Sequence, residues 1–266
     1  MLQIAIVVFR EVLEIALILG ILASATKEIK GRTNYILIGL ALGIAIAIGL
    51  AFFTDQISNS LDGMGQEFFN GLILLASAFM IGWTTLWMQK HAKTISGELK
   101  KISNSVKEGK KPLYTLLIVV LLSVVREGTE IVLFTYSYFI SGTKFIHLFL
   151  GLVLGITLGL IAGIALYLGI LKAFGKYFFM VSSWLLVFFA SGIASLGIGY
   201  WQNAGIIGKV DFRVIDLSSF ISQQHWFGKF LNLFFGYIDH PSILQLVVYF
   251  STLTFLSSSF KIAKKI

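Results

Sequence analysis

The sequence predicts an all-α polytopic membrane protein with seven transmembrane helices, and three observations support this fold class. First, 57% of the 266 residues are hydrophobic and only 13% are charged. Soluble domains contain about 45–50% hydrophobic and about 25% charged residues. Second, the apolar residues fall in runs of about the length that a helix needs to cross a membrane. Third, the basic residues fall mainly in the short segments between these runs, where they orient membrane proteins.

The apolar runs set the seven spans at about residues 2–24, 35–54, 67–88, 113–139, 145–170, 178–199 and 242–260. Each run is close to the roughly 20 residues that cross about 30 Å of hydrocarbon. Backbone groups in lipid must form hydrogen bonds within their own segment, and the alternation typical of barrel strands is absent from the sequence. These runs are therefore expected to be helices.

Basic residues predict the orientation of the chain. With seven spans, 15 of the 21 lysines and arginines lie on one side, in segments 25–34, 89–112 and 171–177 and in the C-terminal tail. Cytoplasmic loops carry such an excess, so the C-terminus is expected in the cytoplasm and the N-terminus outside the plasma (inner) membrane. These loops account for the net charge of +8, which therefore indicates the lipid bilayer rather than nucleic acid as the partner.

Two charged pentapeptides lie in the middle of apolar spans. Residues 10–14 read R-E-V-L-E in the first span, and residues 126–130 read R-E-G-T-E in the fourth. A charge at mid-membrane depth costs at least a few kcal/mol, so such residues are functional candidates by default. The two matching R-E-x-x-E motifs are therefore the first candidates for a functional site.

The chemistry of the two motifs favours a hard cation. On a helix, the two glutamates of each motif share a face. The candidate metal site consists of Glu11, Glu14, Glu127 and Glu130, supported by Arg10 and Arg126. Carboxylate oxygens suit hard cations, and a zinc-type nitrogen and sulfur shell is disfavoured because the chain has no cysteine and no histidine near the motifs.

An internal repeat relates the two motifs. Besides the motifs, G-L-A-L-G-I at residues 39–44 resembles G-L-V-L-G-I at residues 151–156. Spans one to three thus repeat as spans four to six, with one extra C-terminal helix. Three is an odd number, so the halves must face opposite ways, as in transporters whose sites lie at the midplane between inverted repeats.

The repeat predicts how a single transmembrane domain, residues 1–266, is divided. Its expected parts are repeat A at about 1–88, a basic cytoplasmic loop at 89–112, repeat B at about 113–199, an extracytoplasmic loop at 200–241, and helix seven at about 242–260. Within the extracytoplasmic loop, residues 220–235 mix aromatic and polar side chains. This mixture predicts an interfacial or re-entrant helix over the outer face, with a selective lid as the alternative.

Acidic residues near the predicted outer mouth form a second candidate set. Asp55, Asp62 and Glu67 lie in or beside the segment between spans two and three, which carries no basic residue. They are candidates for collecting cations at the mouth, although simple solvation also explains an exposed acidic loop.

Other interpretations of the motifs remain open on the residues alone. Each arginine could bridge its own glutamate and hold helices together, although a buried salt bridge is a poor stabiliser and leaves a spare glutamate in each motif. The glutamates could also form a proton relay. A membrane oxidoreductase subunit is disfavoured because the spans hold no pair of histidines suited to bind haem.

At these motifs the sequence resembles the high-affinity iron permease family, which includes the fungal oxidase-coupled iron permease, bacterial EfeU-like transporters and some lead-uptake proteins. The usual family motif is R-E-G-L-E, and this chain departs from it only at the two middle positions. The segments D-L-S at 216–218, F-G-Y at 235–237 and P-S at 241–242 also look like the bacterial members.

The resemblance implies uptake of iron, Fe(III) or Fe(II), across the plasma membrane, with iron as the transported substrate rather than a cofactor and with no enzymatic activity. It implies that the four glutamates handle the ion and that the two arginines support them. It also implies supply of iron by an extracytoplasmic oxidase or iron-binding protein. A monomer and an oligomer are both compatible with the sequence.

Two alternatives to an iron permease remain. The transported metal could be another cation, such as lead or manganese, or the chain could be a non-transporting scaffold subunit whose motifs are structural ion pairs. The sequence contains no nucleotide-binding loop, so the energy for transport is expected from an ion gradient, the membrane potential or coupled redox chemistry.

Overall fold

The computed structural model describes residues 1–60, 64–168, 172–207, 217–218 and 221–263, and no strand occurs among them. The helices of these residues are α1 (Leu2–Ala25), α2 (Arg32–Ser60), α3 (Met64–Lys107), α4 (Tyr114–Ile140), α5 (Phe145–Tyr167), α6 (Lys172–Asn203), α7 (Trp226–Phe235) and α8 (Ile243–Ala263). The prediction of an all-α protein is confirmed.

Long apolar segments identify a multi-pass membrane protein. Among the residues described above, four helices contain a segment long and apolar enough to cross a membrane: Arg32–Ile57, Gly65–Met88, Phe145–Tyr167 and Met180–Asn203. Helices α1 and α4 have comparable lengths of 24 and 27 residues, but each carries three charged side chains near its middle. Helix α8 contains a shorter apolar stretch, Ile243–Ser259.

Helix α3 is longer than the sequence analysis predicted. It runs for 44 residues to Lys107, whereas the third span was expected to end at residue 88 and a loop to cover 89–112. At 1.5 Å per residue it is about 66 Å long, roughly twice the hydrocarbon thickness. The extension stays helical because Leu99 and Val106 are buried against the ends of neighbouring helices.

The extension of α3 is also tied to the connection between α1 and α2. Lys107 Nζ lies 2.6 Å from Glu28 Oε2 at the surface. The hydrogen bond and the charge of Lys107 hold the pKa of Glu28 below its usual value. Because both groups are exposed, this pair orients the extension more than it stabilises the fold.

A glycine ladder joins α5 to α1. Gly151, Gly155, Gly159 and Gly163 recur at every fourth position of α5 and are buried. A Cβ at Gly155 would lie 2.6 Å from Val8 Cβ, and Gly151 and Gly163 lie beside Ile4 and Ala16. The two helices therefore run parallel in close contact, as small residues at every fourth position permit.

A second glycine contact joins α2 to α4 in the same way. A Cβ at Gly43 would lie 2.6 Å from Val124 Cβ, and one at Gly128 would lie 2.7 Å from Ala47 Cβ. These pairs again indicate parallel helices. Helix α5 thus packs on α1 and helix α2 on α4, parallel in both cases.

The remaining long helices pack beside these two pairs. Helices α3 and α6 cross where Gly71 faces Gly197, and Trp201 Nε1 donates a 3.1 Å hydrogen bond to Phe68 O. Helix α8 packs on both, with Leu256 against Gly82 of α3 and Gln245 against Gly199 of α6.

The helix ends define two faces of the bundle. At the N-terminal face, Gln3 near the start of α1 and Ser141 just after α4 line one cavity. At the opposite face, Leu22 near the end of α1 packs with Leu99 of the α3 extension. The middle of α1 and of α4 therefore lies at similar depth between the two faces.

Two apolar clusters fill the interior on either side of this middle layer. The N-terminal cluster contains Ile4, Val7, Val8, Leu74, Ala78, Ile81, Phe134, Leu148, Leu186, Val187, Phe189, Ala190, Ile193, Ala194 and Leu256. The opposite cluster contains Leu22, Ile36, Leu99, Val106, Leu116, Val120 and Val124. The charged residues of the two motifs lie between the clusters.

Candidate metal site

The charged side chains of both motifs point into the bundle. Glu11, Glu14, Glu127 and Glu130 are buried, and Arg10 is 2% exposed. Arg126 differs, with 33% of its side chain exposed. The face of α1 opposite these residues packs on α5, and the corresponding face of α4 packs on α2, so both helices present their carboxylates to the interior.

The first motif forms a tight internal ion pair. Arg10 Nη1 lies 3.2 Å from Glu11 Oε1, and Arg10 Nη2 lies 3.0 Å from Glu14 Oε1. Within the described part of the chain, Arg10 Nε, Glu11 Oε2 and Glu14 Oε1 are buried without a hydrogen bond of good geometry. One guanidinium thus holds both carboxylates in place and leaves oxygen lone pairs free.

The second motif is more loosely paired. Arg126 Nε lies 3.7 Å from Glu127 Oε1 and 3.7 Å from Glu130 Oε1. The Arg126 guanidinium carbon lies 4.6 Å from the ring centroid of Trp87, a cation–π contact. Thr84 Oγ1 donates a 3.0 Å hydrogen bond to Glu130 Oε2.

Carboxylates from the two motifs meet. One oxygen each from Glu11, Glu14 and Glu127 lie within 4.8 Å of one another. Hard cations bind oxygen at about 2.0–2.6 Å, so oxygens at this separation can ligate one ion between them. Glu130, on the same face of α4, is near enough to Arg10 to interact with it electrostatically.

Two cavities lie on either side of this cluster. The cavity at the N-terminal face has a volume of about 450 Å³, and its polar lining includes Gln3, Ser137, Tyr138, Gln223, Lys229 and Asn232. Phe134, one turn beyond Glu130, is fully buried and contacts the rings of Phe189 and Tyr138, which line this cavity. The cavity at the opposite face, of about 420 Å³, is lined in part by Ser24, Lys100 and Asn104.

Helix α7 forms part of the N-terminal cavity wall. It lies within the segment 220–235 for which an interfacial or re-entrant helix was predicted. Lys229 and Asn232 line the cavity, while Trp226 is 72% exposed. The helix ends at Gly236, whose left-handed backbone (φ 67°) lets it touch Gly192 of α6.

Two of the acidic residues predicted for the outer mouth, Asp55 and Glu67, do not line this cavity. Asp55 lies near the end of α2 and Glu67 in the first turn of α3, and neither is among the described residues that line it. Asp62 lies outside the described residues.

Two residues of the site were missed by sequence reasoning. Thr84 and Trp87 reach the second motif from α3, which is distant in sequence and matches its counterpart in the repeat only weakly. A polar or amphipathic residue in an apolar span is a weak signal because hydroxyls bond to their own helix and tryptophan is common at membrane interfaces.

Ionisable side chains buried in the interior of a multi-pass helical membrane protein are typical of proteins that carry ions through the bilayer. The chain belongs to the Iron permease FTR1 family, whose family model matches residues 1–262. The resemblance inferred from the two motifs is thereby confirmed.

The chain is similar along most of its length to named bacterial permeases. The ferrous iron permease EfeU of Escherichia coli O6:H1 is 28% identical over 247 residues, which cover 92% of this chain and 89% of that protein. EfeU of Yersinia pestis is also 28% identical over 247 residues, covering 92% of this chain and 87% of that protein. No solved structure matches the chain.

Proposed function

We propose that the chain imports iron across the plasma membrane and that Glu11, Glu14, Glu127 and Glu130 hold the ion in transit. The observation that carries this proposal is the approach of oxygens from Glu11, Glu14 and Glu127 to within 4.8 Å of one another, although the first two lie on α1 and the third on α4. Structural ion pairs would need only one carboxylate for each arginine.

The charge of the cluster suits a divalent ion. Four carboxylates and two guanidinium groups leave a formal charge of −2, which Fe(II) neutralises. The relatives named above are called ferrous iron permeases, which also favours Fe(II). Fe(III) shares the preference for carboxylate oxygen and is the second species to test.

The proposed topology has seven spans, formed by α1–α6 and α8, with α1–α3 and α4–α6 as inverted repeats A and B. The parallel packing of α1 with α5 and of α2 with α4 supports it. If three-helix halves face opposite ways, the first helix of one half and the second helix of the other cross the membrane in the same direction. Helices α1 and α4 then cross with their charges facing each other rather than lipid.

The proposed orientation puts the N-terminus outside and the C-terminus in the cytoplasm. The lysines of the α3 extension then lie on the cytoplasmic side, as the positive-inside rule requires. The 450 Å³ cavity becomes the entrance and the 420 Å³ cavity the exit. Asp55, Asp62 and Glu67 are proposed to raise the cation concentration near the entrance, and segment 200–241 to cover it.

Transport in this proposal alternates access to the carboxylates. An ion enters from the outer cavity when Phe134 and Phe189 separate, binds to oxygens from both repeats, and leaves inward as the helices rearrange. Arg10 and Arg126 keep the carboxylates oriented when no ion is bound. The membrane potential, an ion gradient or coupled redox chemistry supplies the energy. An extracytoplasmic oxidase or iron-binding protein is the proposed source of the iron.

Radioactive iron uptake in a host that lacks its own iron transporters tests the function. Cells expressing the wild-type chain should accumulate iron, with Fe(II) preferred when a reductant is present. Glu14→Gln and Glu130→Gln should abolish uptake while reaching the membrane in normal amount. Glu98→Gln, on the exposed part of the α3 extension, is the matched control and should transport normally.

Competition assays distinguish iron from other metals as the transported ion. Excess unlabelled Mn(II) or Pb(II) should displace iron uptake less effectively than unlabelled iron. Absence of uptake by the wild type in either oxidation state would refute the proposal. Normal uptake by both glutamine variants would refute the carboxylate site while leaving the permease function intact.

A further inference from the structure

The two arginines occupy equivalent positions in the repeat but are held differently. We infer that Trp87 is a positioning residue that draws Arg126 away from Glu127 and Glu130, so that these two carboxylates stay out of hydrogen-bonding contact with their arginine and available to the incoming ion. This inference rests on the proposed iron transport through the carboxylate cluster.

The distances show the difference between the two motifs. Arg10 lies at 3.2 and 3.0 Å from its two carboxylates, within hydrogen-bonding range. Arg126 lies at 3.7 Å from Glu127 and at 3.7 Å from Glu130, beyond that range. The same spacing of charges on the same kind of helix therefore gives a closed pair in one motif and an open pair in the other.

Trp87 accounts for the open pair. The Arg126 guanidinium carbon lies 4.6 Å from the Trp87 ring centroid, and tryptophan is the strongest cation–π partner among the aromatic side chains. The guanidinium is thus shared between the ring and the carboxylates. Removing the ring leaves the carboxylates as its main attraction, and we expect it to close on them as Arg10 does.

The open pair leaves carboxylate oxygens of the second motif available. Glu127 Oε2 and Glu130 Oε1 are buried without a hydrogen-bond partner in the described part of the chain, as are Glu11 Oε2 and Glu14 Oε1 of the first motif. Thr84 Oγ1 donates a hydrogen bond to the other oxygen of Glu130. A guanidinium closing on these oxygens competes directly with a metal ion. Trp87 therefore sets the affinity of the site without touching the ion.

The partial exposure of Arg126 allows this competition to assist release of the ion. With 33% of its side chain exposed, Arg126 has room to move between the ring and the carboxylates, whereas Arg10 at 2% does not. Arg126 can move onto the carboxylates as the ion leaves, which replaces the ion's charge and favours release.

Kinetics of iron uptake by Trp87→Leu test the inference. The KM for iron should rise about fivefold to tenfold, the range expected from loss of a partly desolvated cation–π contact. The maximal rate per transporter should change less than twofold, since a change in ion binding alone does not alter the conformational change that moves the ion. Trp83→Leu, one turn away and stacked on Phe79 at the exposed surface, is the matched control and should keep the wild-type KM.

A conservative variant separates positioning from packing. Trp87→Phe retains an aromatic face that binds cations more weakly, so its KM should lie between those of wild type and Trp87→Leu. If Trp87→Leu does not accumulate in the membrane, Trp87→Phe alone carries the test, with an expected rise of about twofold to threefold.

The outcomes distinguish this inference from the proposed function. If wild-type protein takes up no iron, the proposed function fails and the role of Trp87 fails with it. If the wild type transports iron but Trp87→Leu has the same KM as Trp83→Leu, or Trp87→Phe is as impaired as Trp87→Leu, only the positioning role is overturned.

Discussion

Thr84 Oγ1 donates a 3.0 Å hydrogen bond to Glu130 Oε2 and so connects α3 to the carboxylate cluster. The hydroxyl has one proton and two further acceptors in range, Met80 O at 2.9 Å and Ile81 O at 3.2 Å. An ionised carboxylate is the strongest of these acceptors. The position of Glu130 therefore depends on a residue outside the motif.

Loss of this hydrogen bond should weaken iron binding. Thr84→Val keeps the shape of the side chain but removes the donor, and we expect the KM for iron uptake to rise about threefold to tenfold, as for a hydrogen bond to a charged group. Thr84→Ser should transport with nearly the wild-type KM. Equal behaviour of the Val and Ser variants would show that the hydroxyl does not orient Glu130.

The two arginines should contribute unequally to stability. Arg10→Gln leaves two buried carboxylates without their cation, so the free energy of unfolding should fall by about 3–5 kcal/mol. Arg126→Gln should lower it less, because that side chain is partly exposed and its ion pairs are longer. Thermal unfolding of the purified protein in detergent, followed by tryptophan fluorescence, measures both.

A second substitution checks the cause of the Arg10 effect. Removing one of the two stranded charges with Glu14→Gln in the Arg10→Gln background should recover part of the lost stability. If the double variant is less stable than Arg10→Gln alone, the unpaired charge is not the cause.

The glycine ladder between α5 and α1 should tolerate no side chain. A Cβ at Gly155 would lie 2.6 Å from Val8 Cβ and 2.9 Å from the backbone oxygen of Ala5, so Gly155→Ala forces the helices apart. We expect a loss of about 1–3 kcal/mol in the free energy of unfolding. Thermal unfolding in detergent measures it.

The control for this substitution is Gly49→Ala on α2. A Cβ there meets nothing within 4 Å, so the helix-favouring alanine should leave stability unchanged or raise it by up to about 1 kcal/mol. Similar unfolding temperatures for the Gly155 and Gly49 variants would contradict close packing of α5 on α1.

Cysteine labelling should show which face of the bundle is outside. The chain contains no cysteine, so single cysteines report without background. Ser141→Cys at the N-terminal cavity should react with a membrane-impermeant maleimide in intact cells, and Ser24→Cys at the opposite cavity only after the cells are opened. The reverse pattern would invert the proposed orientation and exchange entrance and exit.

The helices and the carboxylate cluster could be predicted from the sequence, because both follow from local patterns of residues. The apolar runs predicted helices because a membrane helix must be apolar for about 20 residues. The two R-E-x-x-E motifs predicted a carboxylate cluster because charges at that depth are too costly to leave facing lipid. The aromatic and polar mixture at 220–235 predicted the helix that is now α7.

Features that depend on contacts distant in sequence could not be predicted. The roles of Thr84 and Trp87 arise because α3 crosses α4 at the depth of the second motif, and nothing local to α3 reveals that crossing. The unequal exposure of Arg10 and Arg126 cannot be read from two motifs with the same charged residues. The predicted loop at 89–112 is largely helix because Leu99 and Val106 find apolar partners on other helices.

The packing of α5 on α1 has a consequence for biosynthesis. The glycines that contact α1 belong to α5. Helix α1 can therefore pack on them only after residues 145–167 have left the ribosome. Until then the newly made α1 lies in the bilayer with three charged side chains and without the helix that covers its other face. A nascent chain that is arrested before α5 should therefore be degraded readily by membrane proteases. It should also stay bound to the insertion machinery longer than the complete chain.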